Sequence, residues 1–180
     1  MSLPAKSSTI VVGGGCFWCL DASFQLLTGV IHVTCGYAGG KVENPSYEQV
    51  YTDQTGHAEV VEVEFDPTRI PLEGVLGFFW QLHDPTQTDG QGEDLGTRYR
   101  SVIFYANEAQ KLVAEKSRAA EQAALAGPIA TEIAPLVKFW RAEPYHQNYF
   151  ARHPERAYCT AVIKPKLRKL QSVLNSSSQS

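Results

Sequence analysis

The stretch STIVVGGGCFWCLDASFQLLTG, residues 8–29, sets the framework of the fold. The β-branched run Ser8–Val12 ends in the glycines Gly13–Gly15, a pattern typical of a buried strand that enters a tight turn. Apolar residues then recur at helical spacing, and Gly29 follows as a stop. These apolar residues are Phe17, Leu20, Phe24 and Leu27. The stretch therefore predicts a strand, a glycine turn and a helix that begins near Cys16.

The rest of the chain continues this alternation. Strand patterns are predicted at Val30–Gly40, His57–Phe65 and Arg98–Ala106, and a second amphipathic helix at Pro71–Pro85. The order strand, helix, strand, strand, helix, strand is that of a split βαβ unit. We therefore predict an α+β fold with a ferredoxin-like core, in which an antiparallel or mixed sheet carries both helices on one face.

Extra C-terminal segments are predicted beyond this core. They are a helix, an edge strand and a short helical or irregular piece, at Glu108–Ala126, Ile129–Trp140 and Tyr145–His153. No linker divides the 180 residues, which are 43% hydrophobic and 19% charged, as is typical of a globular protein. We predict one domain over residues 1–180, with flexible ends at 1–7 and about 172–180.

Charge and composition exclude several classes of partner. A net charge of -3 gives nucleic acid and anionic membranes little to attract. The N-terminal residues are too polar for a signal peptide, and no apolar run is long enough to span a bilayer. We expect a cytoplasmic monomer that binds a small or neutral partner.

Cys16 occupies the position at which a helix N-terminus can activate a thiol. If the helix begins at Cys16, Gly15 lies where a capping Ser, Thr or Asp is usual, and the first N–H groups stay free. These donors and the helix dipole would lower the pKa of Cys16 and favour a nucleophilic thiolate. The alternative is a buried structural cysteine. The glycine turn and a second thiol at Cys19 favour catalysis.

Cys16 and Cys19 form a C-x-x-C pair on one face of the predicted helix, close enough for a disulfide. In a reducing compartment such a pair indicates redox chemistry rather than a structural bridge. Zinc is the rival interpretation, but a structural site needs a second ligand pair, and Cys35 and Cys159 stand alone. We therefore predict no metal site, and we expect Cys35 to be an inert core thiol.

Two adjacent aromatic residues, Phe17 and Trp18, follow the first cysteine. Neighbouring residues of a helix point in different directions, so both rings cannot lie in one apolar stripe. Phe17 belongs to the predicted core stripe, whereas Trp18 is free to line a pocket. An aromatic wall beside a nucleophilic sulfur would suit a small apolar group such as a methyl.

Glu59 lies on the apolar face of a predicted strand, together with Val61 and Val63. An isolated buried carboxyl keeps its proton because burial disfavours the charged form, so Glu59 is a candidate general acid. The alternative is a strand-end carboxylate paired with an arginine or lysine. His57 is a weaker candidate, as a metal ligand, because the sequence near it offers no further ligands.

Turns and loops supply further polar groups. Several tyrosines lie at predicted turns or strand ends, where a hydroxyl can bind a polarised oxygen: Tyr37, Tyr47, Tyr51, Tyr99 and Tyr105. The segment His83–Ser101 begins as a long polar loop and carries Asp94 and Tyr99 toward the next strand. A loop of this length inside a compact domain is typical of a functional segment.

Several short motifs occur along the chain in a fixed order. They are GCFW (15–18), GYAGG (36–40), NPSY (44–47), TGHAEV (55–60), FDP (65–67), HDPT (83–86), GTRYRS (96–101) and YHQNY (145–149). Together they resemble the A-type peptide methionine sulfoxide reductases, over about residues 8–160. The resemblance implies reduction of methionine S-sulfoxide, free or in proteins, since separate enzymes act on the two sulfoxide epimers.

The resemblance also implies a role for each matching residue. Cys16 is similar to the nucleophile of the family, which becomes a sulfenic acid as methionine is released. Glu59 is similar to the acid that protonates the sulfoxide oxygen, and Tyr47 and Tyr99 to the hydrogen-bond donors to that oxygen. Asp94 resembles a supporting carboxylate.

The same resemblance implies a substrate pocket and a reductant. Phe17 and Trp18 resemble the wall that receives the substrate methyl. A second thiol condenses with the sulfenic acid to give a disulfide, which thioredoxin or a similar dithiol protein reduces, and no cofactor is bound. The second thiol stays open between Cys19, on the same helix face, and Cys159, which resembles a resolving tail position of relatives.

The tail of the chain departs from some relatives, because VIKPKLRKL replaces a glycine-rich tail with a second cysteine. This leaves the recycling route open. Two other functions compete with a reductase. A thioredoxin-like disulfide exchanger would also place C-x-x-C at a helix start, although the sequence lacks a cis-proline loop pattern. A module that binds methionine-like side chains without turnover would use the same aromatic pocket.

Overall fold

The predicted strand, turn and helix at the N-terminus are present in the computed structural model, which describes residues 6–177. β1 (Ser8–Gly13) leads through the glycine turn into α1 (Phe17–Phe24). Two core strands follow, β2 (Val30–Ala38) and β3 (Ala58–Phe65), with the short helix α2 (Tyr47–Tyr51) between them. α2 is an element that the hydrophobic pattern did not predict.

The second half of the chain adds the remaining helices and strands. They are α3 (Leu72–Gln81), β4 (Gly90–Gln91), β5 (Asp94–Leu95), β6 (Val102–Tyr105), α4 (Glu108–Ala124), β7 (Glu132–Pro135), β8 (Phe139–Arg141), α5 (Tyr149–Arg152) and α6 (Lys164–Ser177). Short 3-10 turns lie at Thr97–Tyr99 and Pro144–His146, and a π-helical turn, Cys159–Ile163, leads into α6.

The main sheet has the strand order β7-β6-β1-β3-β2-β8. Its four central strands pair antiparallel throughout, and their order is that of a split βαβ unit. β8 adds an antiparallel edge beside β2, and β7 a parallel edge beside β6. The predicted α+β fold with a ferredoxin-like core and a mixed sheet is confirmed.

The larger core lies between the sheet and helices α1 and α3. Alternation along β3 directs Val61, Val63 and Phe65 into this core, and Glu59 lies on the same face at its end. A smaller apolar layer covers the opposite face, where Val60 and Phe104 are buried. Aliphatic and aromatic side chains fill the larger core without a methionine, and the single methionine of the sequence is Met1.

Two predictions about the C-terminal third are wrong. Ile129–Trp140 is not one edge strand: it divides into β7 and β8, which lie at opposite edges of the sheet. Pro135 ends β7 because it has no N–H with which to extend the ladder. The tail predicted to be flexible from about residue 172 is helical to Ser177, since Leu167 and Leu170 are buried.

The predicted flexible ends otherwise lie mostly outside the described residues. Residues 1–5 and 178–180 fall in that part, and residues 6–7 precede β1 without regular structure. None of the helices formed by residues 6–177 combines the length and apolar character that a bilayer crossing requires.

Candidate active site

Cys16 lies at the junction between the glycine turn and α1, and it is itself the N-cap of that helix. The cap is therefore one residue later than Gly15, the predicted position. Gly15 has φ +96°, a conformation that favours glycine, and its N–H donates to the Tyr99 carbonyl at 3.1 Å. The half-buried Cys16 side chain makes no capping hydrogen bond, so its sulfur is free for other contacts.

The neighbours of Cys16 change its predicted ionisation. Burial raises the pKa of the Cys16 thiol, as do a hydrogen bond to Cys19 and the charge of Glu59, while the Trp18 N–H lowers it. The predicted lowering is therefore wrong, because these neighbours outweigh the helix N-terminus. The hydrogen bond with Cys16, together with the charge of Lys166, instead lowers the pKa of Cys19 to about 7. The hydrogen bond between the two thiols therefore makes the ionisation of each depend on the other.

Glu59 reaches the helix start from β3. Its Oε2 accepts a hydrogen bond from the Phe17 N–H at 3.1 Å, and only 2% of the residue is exposed. Burial raises the pKa of Glu59 to about 8, against the Phe17 N–H and the positive charge of Arg98, which lower it. Among the described residues no cation forms an ion pair with Glu59, so the alternative of a paired strand-end carboxylate is wrong. Glu59 is a buried acid that carries its proton at neutral pH.

Tyr47 and Tyr99 approach this carboxyl from two separate segments. Tyr47 is the first residue of α2, and Tyr99 ends the 3-10 turn before β6. Burial raises the pKa of Tyr47 to about 12, and it also raises the pKa of Tyr99. The charges of Glu59 and Cys16 contribute to both shifts. Both tyrosines therefore keep the proton that a hydrogen-bond donor needs.

The two aromatic residues after Cys16 have different surroundings. Phe17 is 1% exposed and lies in the core, with its ring centroid 5.8 Å from that of Tyr37. Trp18 is half-buried and stacks on Tyr149 at 3.7 Å with 5° between the planes. Phe17 thus packs the start of α1 against the main core, and Trp18 is the ring that can present a face to a ligand.

Asp94 lies in the β4–β5 hairpin and contacts a tyrosine of the C-terminal segment. Its Oδ2 accepts a hydrogen bond from the Tyr158 hydroxyl at 2.7 Å. The same hydroxyl lies 3.6 Å from the Cys19 sulfur. Asp94 therefore connects the β4–β5 hairpin to the C-terminal segment and contacts the thiol pair through Tyr158.

The other cysteines divide between two places. Cys19 and Cys159 are buried in one small cluster, against which Cys16 and Trp18 also pack. Cys35 is fully buried in the main core, its thiol 3.7 Å from the Phe17 carbonyl, and burial raises its pKa. Its predicted core location is confirmed. All four cysteines are free thiols in this structure.

His57 is held by backbone groups on both ring nitrogens. Its Nδ1 accepts from the Gly40 N–H at 3.0 Å, and its Nε2 contacts the Val42 carbonyl at 2.7 Å. A ring used in this way has no nitrogen left for a metal. Over residues 6–177, no cluster of three or more His, Cys, Asp or Glu side chains is arranged to hold a metal ion.

Comparison of the sequence with known protein families agrees with this geometry. The sequence model of the peptide methionine sulfoxide reductases matches residues 8–178. The chain belongs to this family. The peptide methionine sulfoxide reductase MsrA of Thermus thermophilus is 48% identical over 174 residues, 97% of this chain and 98% of that protein.

Solved structures are similar over most of the reductase. The reduced form of Mxr1 from Saccharomyces cerevisiae has a TM-score of 0.82 at 33% identity, over 88% of this chain and 92% of that chain. Mxr1 in complex with Trx2 has a TM-score of 0.59 at 25% identity, over 83% of this chain and 88% of that chain. The predicted activity is confirmed: this chain is an oxidoreductase of methionine sulfoxide. Membership excludes a disulfide exchanger and a non-catalytic binding module.

Sequence reasoning missed a buried network behind the Trp18 ring of this reductase. The Trp18 Nε1–H donates to His146 Nδ1 at 3.1 Å, which leaves the ring proton of neutral His146 on Nε2. Nε2 lies 3.6 Å from Glu143 and has no hydrogen-bond partner among the described residues, while the Glu143 carboxylate accepts from the Tyr37 hydroxyl and the Tyr47 N–H, each at 2.8 Å. The motif YHQNY contains His146, but nothing local in it indicates the contact with Trp18, which lies 128 residues earlier in the chain.

Proposed function

We propose that this reductase acts on the S epimer of methionine sulfoxide, with Cys16 as nucleophile and Glu59 as general acid. One observation carries the proposal: the Glu59 carboxyl binds the N–H beside Cys16, and burial raises its pKa to about 8. A protonated acid thus lies next to a sulfur that can attack. Tyr47 and Tyr99 would donate to the sulfoxide oxygen, and Trp18 would contact the substrate methyl.

The proposed first step transfers two electrons from Cys16 to the substrate. The Cys16 sulfur attacks the sulfoxide sulfur as Glu59 gives its proton to the oxygen, where negative charge develops. The oxygen then passes to Cys16 with its proton, the substrate S–O bond breaks, and methionine leaves. The former Cys16 thiol proton restores Glu59. The net change is thiol plus sulfoxide to sulfenic acid plus thioether.

The test of this proposal is stereochemical. The enzyme should consume one epimer of a racemic sulfoxide in the presence of dithiothreitol. Chiral chromatography of the remaining sulfoxide measures this consumption. Cys16→Ser should abolish this consumption, whereas Cys35→Ala, which removes a thiol from the core, should retain it. Consumption of both epimers at equal rates, or activity in Cys16→Ser, would refute the proposal.

We further propose that Cys19 is the resolving cysteine. It lies one helical turn from Cys16, shares a hydrogen bond with it, and has its pKa lowered to about 7. As a thiolate, its sulfur would attack the sulfenic sulfur of Cys16, form the disulfide and release the oxygen as water after protonation. Cys159 packs in the same cluster and is available for a later exchange.

Disulfide mapping distinguishes the two cysteines. After one turnover without reductant, mass spectrometry should find a bond between Cys16 and Cys19. Cys19→Ser should stop at the sulfenic acid, which a dimedone probe traps, while Cys159→Ser, a matched change in the same cluster, should still form the bond. A first disulfide between Cys16 and Cys159 would identify the other resolver.

The reductant proposed for this chain is a thioredoxin or a similar dithiol protein, as for the Mxr1 complex with Trx2. The proposed cycle needs no bound cofactor, because the cysteines and the dithiol carry all the electrons. Thioredoxin, thioredoxin reductase and NADPH should sustain turnover, measured as NADPH oxidation. Asp94 would support catalysis through its contact with Tyr158.

We also propose that the chain works as a single catalytic domain and as a monomer in the cytoplasm. The site residues all come from one sheet and the segments packed on it, which supports a single unit. Light scattering at assay concentration should give a mass near 19.9 kDa. Fractionation of cells should recover the protein with cytoplasmic markers.

A further inference from the structure

An arginine outside the predicted catalytic set is buried beside the site. Arg98 Nη1 donates to Asp53 Oδ2 at 2.6 Å, and the Arg98 N–H donates to Asp53 Oδ1 at 2.9 Å. The Thr97 hydroxyl adds a third hydrogen bond to Asp53 at 3.3 Å. The Arg98 side chain is 9% exposed and that of Asp53 is 30% exposed, so the ion pair is partly shielded from water.

The guanidinium of Arg98 also lies between two aromatic rings. Its central carbon is 4.3 Å from the ring centroid of Tyr51 and 4.4 Å from that of Tyr99. These are distances at which a cation is attracted to a ring face. Gly96, with φ +130°, makes room for the pair, since a Cβ there would meet Arg98 and Asp53 at 2.5 Å. We call this arrangement of Arg98, Asp53 and the two rings the arginine clamp.

The arginine clamp joins the two segments that hold the proposed oxygen donors. Tyr47 begins α2, and Tyr51 and Asp53 lie at and just beyond its end. Tyr99 directly follows Arg98 in the 3-10 turn. The clamp therefore connects the segment that carries Tyr47 with the segment that carries Tyr99.

The charge of Arg98 acts on the same groups. It lowers the pKa of Glu59 and that of Tyr99, against the burial that raises both. The other charged or titratable groups that act on Glu59 are Asp94 and Cys19, which raise its pKa, and the neighbouring Cys16. Loss of the Arg98 charge would therefore make the Glu59 carboxyl harder to ionise.

We propose that Arg98 is a positioning residue of the reductase, which fixes the Tyr99 hydroxyl relative to Tyr47 for binding the sulfoxide oxygen. The inference rests on the proposed roles of the two tyrosines. A planar guanidinium suits this task because it can bind a carboxylate and stack on rings at once, whereas a lysine ammonium can do neither as well.

A double-mutant cycle tests this proposal. Arg98→Gln and Tyr99→Phe should each slow sulfenic acid formation at Cys16 by about 10-fold or more in single turnover, with a small change in KM. The double variant should be little slower than the slower single variant, because both remove the same contact. Arg98→Lys should recover less than half of the loss. Lys111→Gln, a cation on α4 that contacts Glu108, is the control and should keep the rate.

The pH profile gives a second readout that simple loss of stability would not move. Arg98→Gln should shift the fall in rate above about pH 8 to higher pH, and Arg98→Lys should restore its position. Multiplicative effects in the double variant, or full recovery of the rate in Arg98→Lys, would overturn the positioning role. A wild-type rate in Tyr99→Phe alone would contradict the proposed role of Tyr99 and, with it, the proposed role of Arg98. The reaction at Cys16 is tested separately by Cys16→Ser.

Discussion

Glu59 and Cys19 set the protonation state in which the reductase works. Burial raises the pKa of Glu59 to about 8, and the hydrogen bond with Cys16 lowers that of Cys19 to about 7. Between these values the carboxyl keeps its proton while the thiol pair has lost one. A general acid and an ionised sulfur pair therefore coexist in a narrow range of pH.

Glu59→Gln should slow sulfenic acid formation by roughly 10²- to 10⁴-fold, because an amide is a poor proton donor. The wild-type rate should fall below about pH 7, where the thiol pair regains its proton, and above about pH 8, where Glu59 ionises. The variant should lack the alkaline fall. Rapid-quench measurement of released methionine gives both profiles, and circular dichroism checks the fold. The same alkaline fall in the variant would contradict the acid role.

At the scale of elements, the edge strand β8 places the segment behind Trp18. β8 pairs with β2 from Gly36 to Ala38 and leads into Glu143 and His146, which hold Tyr47 and Trp18. Gly36 permits this close approach, because a Cβ there would collide with the Phe139 ring and the Trp140 carbonyl. The edge of the sheet is thus part of the support of the site.

Gly36→Ala should destabilise the fold by about 1–3 kcal/mol, since β8 must move to admit the methyl. It should also weaken substrate binding through the Glu143 and His146 segment. Gly77→Ala in α3 is the matched control, because nothing lies within 4 Å of its Cβ position and alanine favours a helix. That control should gain about 0.5–1 kcal/mol. Urea unfolding measures both changes, and equal stability of the two variants would contradict this role of Gly36.

The sequence predicted those elements whose periodicity is strong. The alternation in β3 placed Glu59 on the core side, and the glycine turn placed Cys16 at a helix start, because both follow from local geometry. Prediction from the sequence failed where contacts between distant segments determine the structure. The split of Ile129–Trp140 into two edges is one such case. The pKa of Cys16 is another, since burial, Cys19 and Glu59 determine it together.

α6 is a different kind of failure, because a signal was present. Leu167, Leu170 and Leu174 lie three and four residues apart, which is the spacing of one helix face. Serines at the end of the segment suggested a flexible tail instead. The arginine clamp and the contact between Trp18 and His146 had no such local signal, since their partners are separated by tens of residues or more.

At the scale of the whole molecule, the buried acid of the site opposes stability at neutral pH. The pKa of Glu59 is about 8 in the fold, against an ordinary value of 4.5, so the folded chain binds more protons between these values. The contribution of the neutral carboxyl is therefore complete below about pH 4.5 and lost as the pH rises to about 8. Burial lowers the pKa of His83 to about 4, which acts in the opposite direction between pH 4 and 6.5.

Glu59→Gln should consequently become more stable relative to wild type as the pH rises from 4.5 to 8. The gain should reach on the order of 4 kcal/mol, at about 1.4 kcal/mol per pKa unit. Glu64→Gln, on the opposite face of β3, is the control for a glutamate to glutamine change in the same strand. Denaturant unfolding across this pH range measures the difference. A constant difference between Glu59→Gln and wild type would show that Glu59 does not resist ionisation.

The main core is packed with aliphatic and aromatic side chains and contains no methionine. This composition affects how well the enzyme itself resists oxidation. An oxidant that reaches the cell attacks exposed and flexible thioethers wherever proteins contain them, and the resulting polar group disrupts their packing. Here leucine, valine, isoleucine and phenylalanine occupy most of the main core, and no methionine lies in it. Past its first residue, the enzyme cannot suffer the damage that it removes from others.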